Sequence, residues 1–211
     1  LFEGTTKIVA GDKRPEETCH LGFRKDQGDP KISQLMSDEE SYIHEHLETL
    51  RMLTVLTQPN SILEIGTGRG DSTLAFAEGL AQNGKGHIIT LDIKEVGQAH
   101  DLILDEDLMS FVTFLKMNSL DFLRKMNGNI DILFIDGLHS YKQVKAELHY
   151  YKPYITDEGM IILHDTNNPA HPGVYKAVQE FLGVSEFGEW TMFEYYNCNG
   201  LTVLQHDIPD G

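Results

Sequence analysis

The sequence predicts an α/β fold: a mostly parallel sheet of seven strands flanked by helices, with a C-terminal antiparallel hairpin at the sheet edge. Three observations carry this expectation. Short apolar strands alternate with amphipathic helices from about residue 61 onward, the pattern of a parallel sheet. A glycine turn, Gly66-Thr67-Gly68-Arg69-Gly70, lies between the first strand and the helix that follows it. The chain of 211 residues also fits one domain, since roughly 100–250 residues bury a sufficient core.

Residues 1–36 are rich in Gly, Pro and charge and keep neither helical nor strand periodicity, so they read as an irregular arm or lid before a single domain over 37–211. From Ser37, an early pair of acids and apolar Ile43, Leu47, Leu50, Leu53 and Val55 predict a helix ending near Gln58-Pro59. The strand SILEI comes next, then the glycine turn, a helix from Ser72 to about Ala81, and the strand HIITL ending in Asp92. FVTFL (111–115), a helix around LDFLRKM, DILFI (131–135), a helix over Tyr141–Tyr151 and MIILH (160–164) continue the alternation. After a helix near Val174–Leu182, WTMFEYY and GLTVL read as the hairpin, on which Trp190, Tyr195 and Tyr196 pack or border a substrate pocket.

Thirty-three acidic against 17 basic side chains give a formal charge of −16, which disfavours nucleic acid and acidic membranes as partners. The few clustered cations, Lys13, Arg14, Arg24 and Lys25, are interleaved with acids. No apolar run approaches the roughly 18–20 residues that cross a bilayer, and the opening stretch from Leu1 has no apolar signal core. Cys19 and Cys198 sit in no metal-ligand spacing, so a reducing cytoplasm is the simplest setting. The expected partner is a small molecule, with homo-oligomerisation left open.

Glycines in the turn allow a close backbone approach to a ligand, and the helix behind it offers free N–H groups. Such turns also serve as plain connectors. Asp92, 26 residues after Gly66 and at the end of the next strand, can accept hydrogen bonds from both ribose hydroxyls of a nucleoside cofactor. Dinucleotide sites usually read G-x-G-x-x-G, whereas this turn reads G-x-G-x-G with Glu64 two residues before it. A carboxylate there repels a pyrophosphate and suits a cationic sulfonium ligand.

In this order EIGTGRGDS, LDIK, NSLDFL, FIDGLHSY and GMIILHDT resemble the successive motifs of class I S-adenosylmethionine-dependent methyltransferases, over about residues 45–205. The resemblance implies a Rossmann-like domain in which Gly66, Gly68 and Gly70 line the methionine portion and Ser72 meets its carboxylate. It also implies that Asp92 holds the ribose and that Asn118 with Ser119 faces adenine, although the family often has Asp at position 118. Glu64, Thr67, Ile93 and Asp136 complete the expected cofactor site.

Asp136 and Asp165 follow two strands whose C-terminal ends reach one rim, where both can hold a hard divalent cation such as Mg2+. Either can also simply cap a turn. This part is similar to the metal-dependent small-molecule O-methyltransferases, including the catechol, caffeoyl-CoA and antibiotic-sugar types, and to cephalosporin hydroxylase-like proteins. In the catechol type a lysine base stands three residues after the first metal Asp; here that position is His139, an expected general base. For the third ligand, His164 replaces the acid of the sugar type, or Thr166 replaces the Asn of the catechol type. His164 also suits Mn2+, Fe2+ or Zn2+, or is merely a strand-end residue. His44 and His46 read as a solvated helix face, and His171 as a loop residue near the mouth. The expected activity is metal-assisted O-methylation of a small-molecule hydroxyl; an oxidative enzyme on the same fold and a non-catalytic cofactor-binding protein are the rivals.

Overall fold

The computed structural model describes residues 30–38, 41–104, 106–185 and 189–207. Seven strands form one sheet: β1 (Ser61–Ile65), β2 (His87–Asp92), β3 (Val112–Lys116), β4 (Ile130–Ile135), β5 (Ile155–His164), β6 (Trp190–Tyr195) and β7 (Leu201–His206). Their order is β3-β2-β1-β4-β5-β7-β6. The first five run parallel, β7 lies antiparallel to β5, and β6 closes the edge antiparallel to β7. The fold is the expected Rossmann-like sheet with its hairpin.

Helices cover both faces, so the central strands are apolar on both. On one side Ile62, Ile132, Phe134 and Ile162 meet α2 (Leu47–Thr57) and α3 (Asp71–Asn83), with Leu50, Leu74, Phe76 and Leu80 in the same cluster. On the other, Leu63, Ile65, Leu133, Ile135, Ile161 and Leu163 pack with α7 (Tyr141–Tyr151) and α8 (Pro172–Val184). Each fully buried side chain of this kind contributes about 1.5–3 kcal/mol. α3 lies between the sheet and α2, which is why every residue from Asp71 to Leu80 is buried.

Several boundaries differ from the sequence reading. Most of the expected arm, residues 1–29, lies outside the described residues together with Cys19 and the clustered cations. Its end is helical rather than irregular: α1 (Pro30–Leu35) places Ile32 and Leu35 in the core. The helix expected from Ser37 begins only at Leu47, after a 3-10 turn over His44–His46. The expected capping residue is engaged elsewhere, the Ser37 hydroxyl donating to the Ser33 carbonyl at 3.3 Å, while the Ser41 hydroxyl donates to Asp71 Oδ2 at 2.7 Å and ties this stretch to α3. That turn also corrects the expectation of a solvated face, since His46 is 1% exposed. Two short helices, α4 (Gly97–Leu102) and α5 (Glu106–Met109), fill a stretch with no expected element, and α6 (Ser119–Leu123) follows β3. Among the described residues no helix is long and apolar enough to cross a membrane.

Candidate active site

The strand order reverses between β1 and β4, and open α/β sheets bind ligands in the crevice at such a point. The two strand ends are in direct contact there: the Asp136 N–H donates to Ile65 O at 2.8 Å. A Cβ on Gly66 (φ +101°) would lie 2.2 Å from the Asp136 carbonyl oxygen, so the first glycine is demanded by the neighbouring strand. Gly70 is packed against Ala99 of α4. Gly68 (φ +52°) differs, because a Cβ there meets nothing within 4 Å. Of the three, it is Gly68 that leaves open space for a ligand.

Asp92 faces this turn, accepting the Gly68 N–H at 3.1 Å through Oδ2 and the Lys94 N–H at 2.8 Å through Oδ1. Ile93 beside it is 65% exposed. Beneath the turn, Thr67 and Thr90 share a buried hydroxyl contact of 2.6 Å. Glu64 is fully buried and accepts hydrogen bonds from the Ser72 and Thr73 hydroxyls. Burial pushes its carboxyl up to about 7, against the opposing effect of those hydroxyls. On the far side Asn118 caps α6 by accepting the Leu120 N–H at 2.9 Å. The Ser119 hydroxyl donates to Glu147 at 2.6 Å, and Tyr151 holds the Ser119 carbonyl. The Ser72 and Ser119 hydroxyls thus both donate inward, to Glu64 and Glu147.

At the ends of β4 and β5 two carboxylates and two imidazoles converge. His139 Nε2 lies 3.2 Å from Asp136 Oδ1 and 2.9 Å from Asp165 Oδ2. His164 Nδ1 lies 3.3 Å and 3.6 Å from the same two oxygens. Asp165 is held in the left-handed region (φ +59°), and Asn168 donates to its Oδ1 at 2.6 Å; such backbone strain concentrates at functional sites. His164 is 1% exposed, and its Nε2 lies 3.0 Å from the Cys198 carbonyl oxygen. A carbonyl only accepts, so Nε2 carries a proton and Nδ1 faces the carboxylates.

Without a cation these groups compensate one another. Hydrogen bonds to Asp136 and Asp165 raise His139 to about 9. Burial lowers His164, but the same two carboxylates outweigh it and hold the ring well above the ordinary imidazole range. Burial likewise pushes Asp136 and Asp165 up, and the two imidazoles more than reverse this. His139 is therefore protonated at neutral pH until something else supplies the positive charge.

The donor set fits a metal ion. Asp136, His164 and Asp165 offer ligand atoms within 4.8 Å of one another. Their oxygen-to-nitrogen separations of 3.3–3.6 Å are close to the ~3.0–3.4 Å between neighbouring ligands of an ion at about 2.1 Å. Thr166 instead receives a hydrogen bond from Thr202 at 2.9 Å, so His164 is the residue brought to the pair.

Three neighbours carried little signal in the sequence. The His171 ring lies 4.5 Å from that of His139. His46 sits edge-on to His164 at 5.7 Å, and burial, then the His164 charge, lowers it to about 4. The β6–β7 turn delivers the Cys198 carbonyl to His164 and the Asn197 carbonyl to His46, the latter at 3.0 Å. Trp190 packs between Phe181 and His206, and Tyr196 is 52% exposed.

Residues 63–166 match a family described as a methyltransferase domain. An O-methyltransferase from Aspergillus hancockii, hkm8, is 26% identical over 118 residues, covering 55% of this chain and 46% of its own length. The chain spans less than half the length of the curated relatives it matches, 18% of one and 46% of the other. Among solved structures, the Bacillus cereus O-methyltransferase in complex with S-adenosylhomocysteine has a TM-score of 0.66 at 19% identity, over 87% of this chain and 94% of that one. TomG, an O-methyltransferase of tomaymycin synthesis from Streptomyces achromogenes solved with S-adenosylmethionine, has a TM-score of 0.65 at 17% identity, over 85% and 91%.

Proposed function

From the match of residues 63–166 to a methyltransferase-domain family, we propose that this chain transfers a methyl group from S-adenosylmethionine to a hydroxyl of a small molecule, assisted by a divalent cation. The observation that carries the reading is the placement of Asp136: its main chain touches the glycine turn, and its side chain belongs to the carboxylate–imidazole cluster. Donor site and cluster are thereby adjacent.

In this reading Asp92 accepts from the ribose hydroxyls, and the open face at Gly68 receives the amino-acid end of the donor. Asp136, His164 and Asp165 would hold the cation, which when bound lowers the pKa of the acceptor hydroxyl. His139 takes the hydroxyl proton as the oxygen–methyl bond forms and the sulfur–methyl bond breaks. To act as a base His139 must be neutral, which the two carboxylates oppose until a cation balances their charge. Alignment of donor and acceptor supplies much of the remaining rate, since the methyl group is already activated on sulfur.

Calorimetry with S-adenosylhomocysteine tests the donor site: binding is expected in wild type and lost in Asp92→Ala, and tighter binding of NADH would refute the assignment. Methyl transfer should stop in excess chelator and return with added divalent ion; undiminished turnover in chelator would remove the cation from the reaction.

A further inference from the structure

We propose that the centre at the ends of β4 and β5 is a nitrogen-ligated transition-metal centre, in which His164 Nδ1 binds the ion and Mn2+ or a related first-row ion is taken in preference to Mg2+. This rests on the reading above that Asp136 and Asp165 hold a cation, and it adds the class of ion and the device that selects it.

The device is the hairpin turn between β6 and β7. Cys198 and Asn199 both adopt left-handed backbone (φ +46° and +66°), and the Gly200 N–H closes the turn on Asn197 O at 2.8 Å. This presents the Cys198 carbonyl to His164 Nε2 at 3.0 Å. The Nε2 proton is fixed by that contact, so in the neutral ring the Nδ1 lone pair is aimed between Asp136 Oδ1 and Asp165 Oδ2, at 3.3 and 3.6 Å. Once that ring is neutral, its lone pair and the two carboxylate oxygens form a three-acceptor set that a cation between them satisfies.

His164 has little freedom to turn away. It is 1% exposed, is the last residue of β5, and has His46 edge-on against it at 5.7 Å. The open side adds further imidazole, since His139, Asp165 and His171 also offer ligand atoms within 4.8 Å of one another. Mg2+ favours oxygen ligands and retained water; Mn2+ shares the taste for oxygen but stands above it in affinity for a nitrogen donor, and Fe2+, Co2+ and Zn2+ take imidazole more strongly still. An all-oxygen site also prefers the transition ions, by a smaller margin, so the diagnostic quantity is the change in preference when the nitrogen is removed.

The test loads chelator-stripped full chain with Mn2+ and follows it by electron paramagnetic resonance. Mg2+ should displace Mn2+ only at about 100-fold or greater excess, and pulsed spectra of the loaded protein should contain 14N coupling that persists in the double variant His139→Ala/His171→Ala, which leaves His164 as the imidazole of the cluster. In that double-variant background His164→Asp, which offers oxygen in place of nitrogen, should abolish the coupling, and by itself it should narrow the Mn2+ over Mg2+ preference at least about tenfold. Absent 14N coupling in wild type, or an unchanged preference in a folded His164→Asp, overturns the proposal while leaving the cation itself in place. Mn2+ binding that survives unaltered in Asp136→Asn and in Asp165→Asn instead overturns the underlying reading. Because His164 is buried, the coupling in His139→Ala/His171→Ala and the wild-type competition remain decisive should His164→Asp fail to fold: no coupling there overturns the proposal.

Discussion

Replacing Gly66 by alanine should unfold far more of the protein's stability than the same change at Gly68, although both sit in one turn at positive φ. At Gly66 the added Cβ would stand 2.2 Å from the Asp136 carbonyl oxygen, 2.5 Å from its carbon and 2.9 Å from Gly137 Cα. None of these is a side-chain end that can rotate away; relief requires β1 and β4 to part where the Asp136 N–H bonds Ile65 O. Backbone strain at φ +101° costs roughly 1–3 kcal/mol and the overpacking roughly as much again, a sum of about 2–6 kcal/mol against a typical total of roughly 5–15. At Gly68 the Cβ meets nothing within 4 Å and φ is +52°, so only a left-handed penalty of about 1–2 kcal/mol applies. Urea denaturation with linear extrapolation measures both, and equal slopes would show that the unfolded states are comparable. For S-adenosylhomocysteine the order should reverse among folded molecules: Gly68→Ala fills the open side of the turn and weakens binding most. If Gly66→Ala proves no less stable than Gly68→Ala, the contact between the β1 and β4 exits is misassigned.

Four other outcomes can be checked. In the metal-free protein at neutral pH both His139, raised to about 9, and His164 carry an extra proton, so Mn2+ binding should release about two protons; calorimetry in buffers of differing ionisation enthalpy counts them, and none released would exclude exchange of ion for proton. His139→Ala should keep cofactor and metal binding while losing roughly 10²–10⁴-fold in kcat, and normal turnover would make His139 a structural turn residue. Glu64 has a folded pKa of about 7, above its ordinary 4.5, so its stabilisation is complete below about pH 4.5 and fades as pH rises through 7. Glu64→Gln should flatten that fall, of order 3 kcal/mol, with no difference between pH-dependent urea midpoints counting against it. Asp92→Asn, which keeps one acceptor for the Gly68 or Lys94 N–H, should preserve more S-adenosylhomocysteine affinity than Asp92→Ala; equal losses would mean that charge alone matters there.

Local periodicity and turn chemistry were enough to order the strands and helices along the chain, because those signals act within a few residues of each other. They also sent Asp136 and Asp165 to one rim, since in a parallel sheet every strand end following a helix crossover reaches the same edge. What only the tertiary structure decided are meetings between segments far apart in sequence. Gly66 and Gly68 look alike as letters, yet one answers to the backbone of Asp136 and the other to open space. Ser72 and Ser119 stand in the first turns of α3 and α6, but Glu64 and Glu147 turn their hydroxyls inward. His46 belongs to a stretch with acidic neighbours and helical spacing, and it is buried because the Asn197 carbonyl and the His164 ring lie across from it. The choice between His164 and Thr166 was likewise beyond spacing, as it depends on which groups β7 and its turn bring alongside β5: the Cys198 carbonyl orients the histidine, and Thr202 engages the threonine. Sequence separation carries no information about such pairings until the sheet order and register place them a few ångströms apart.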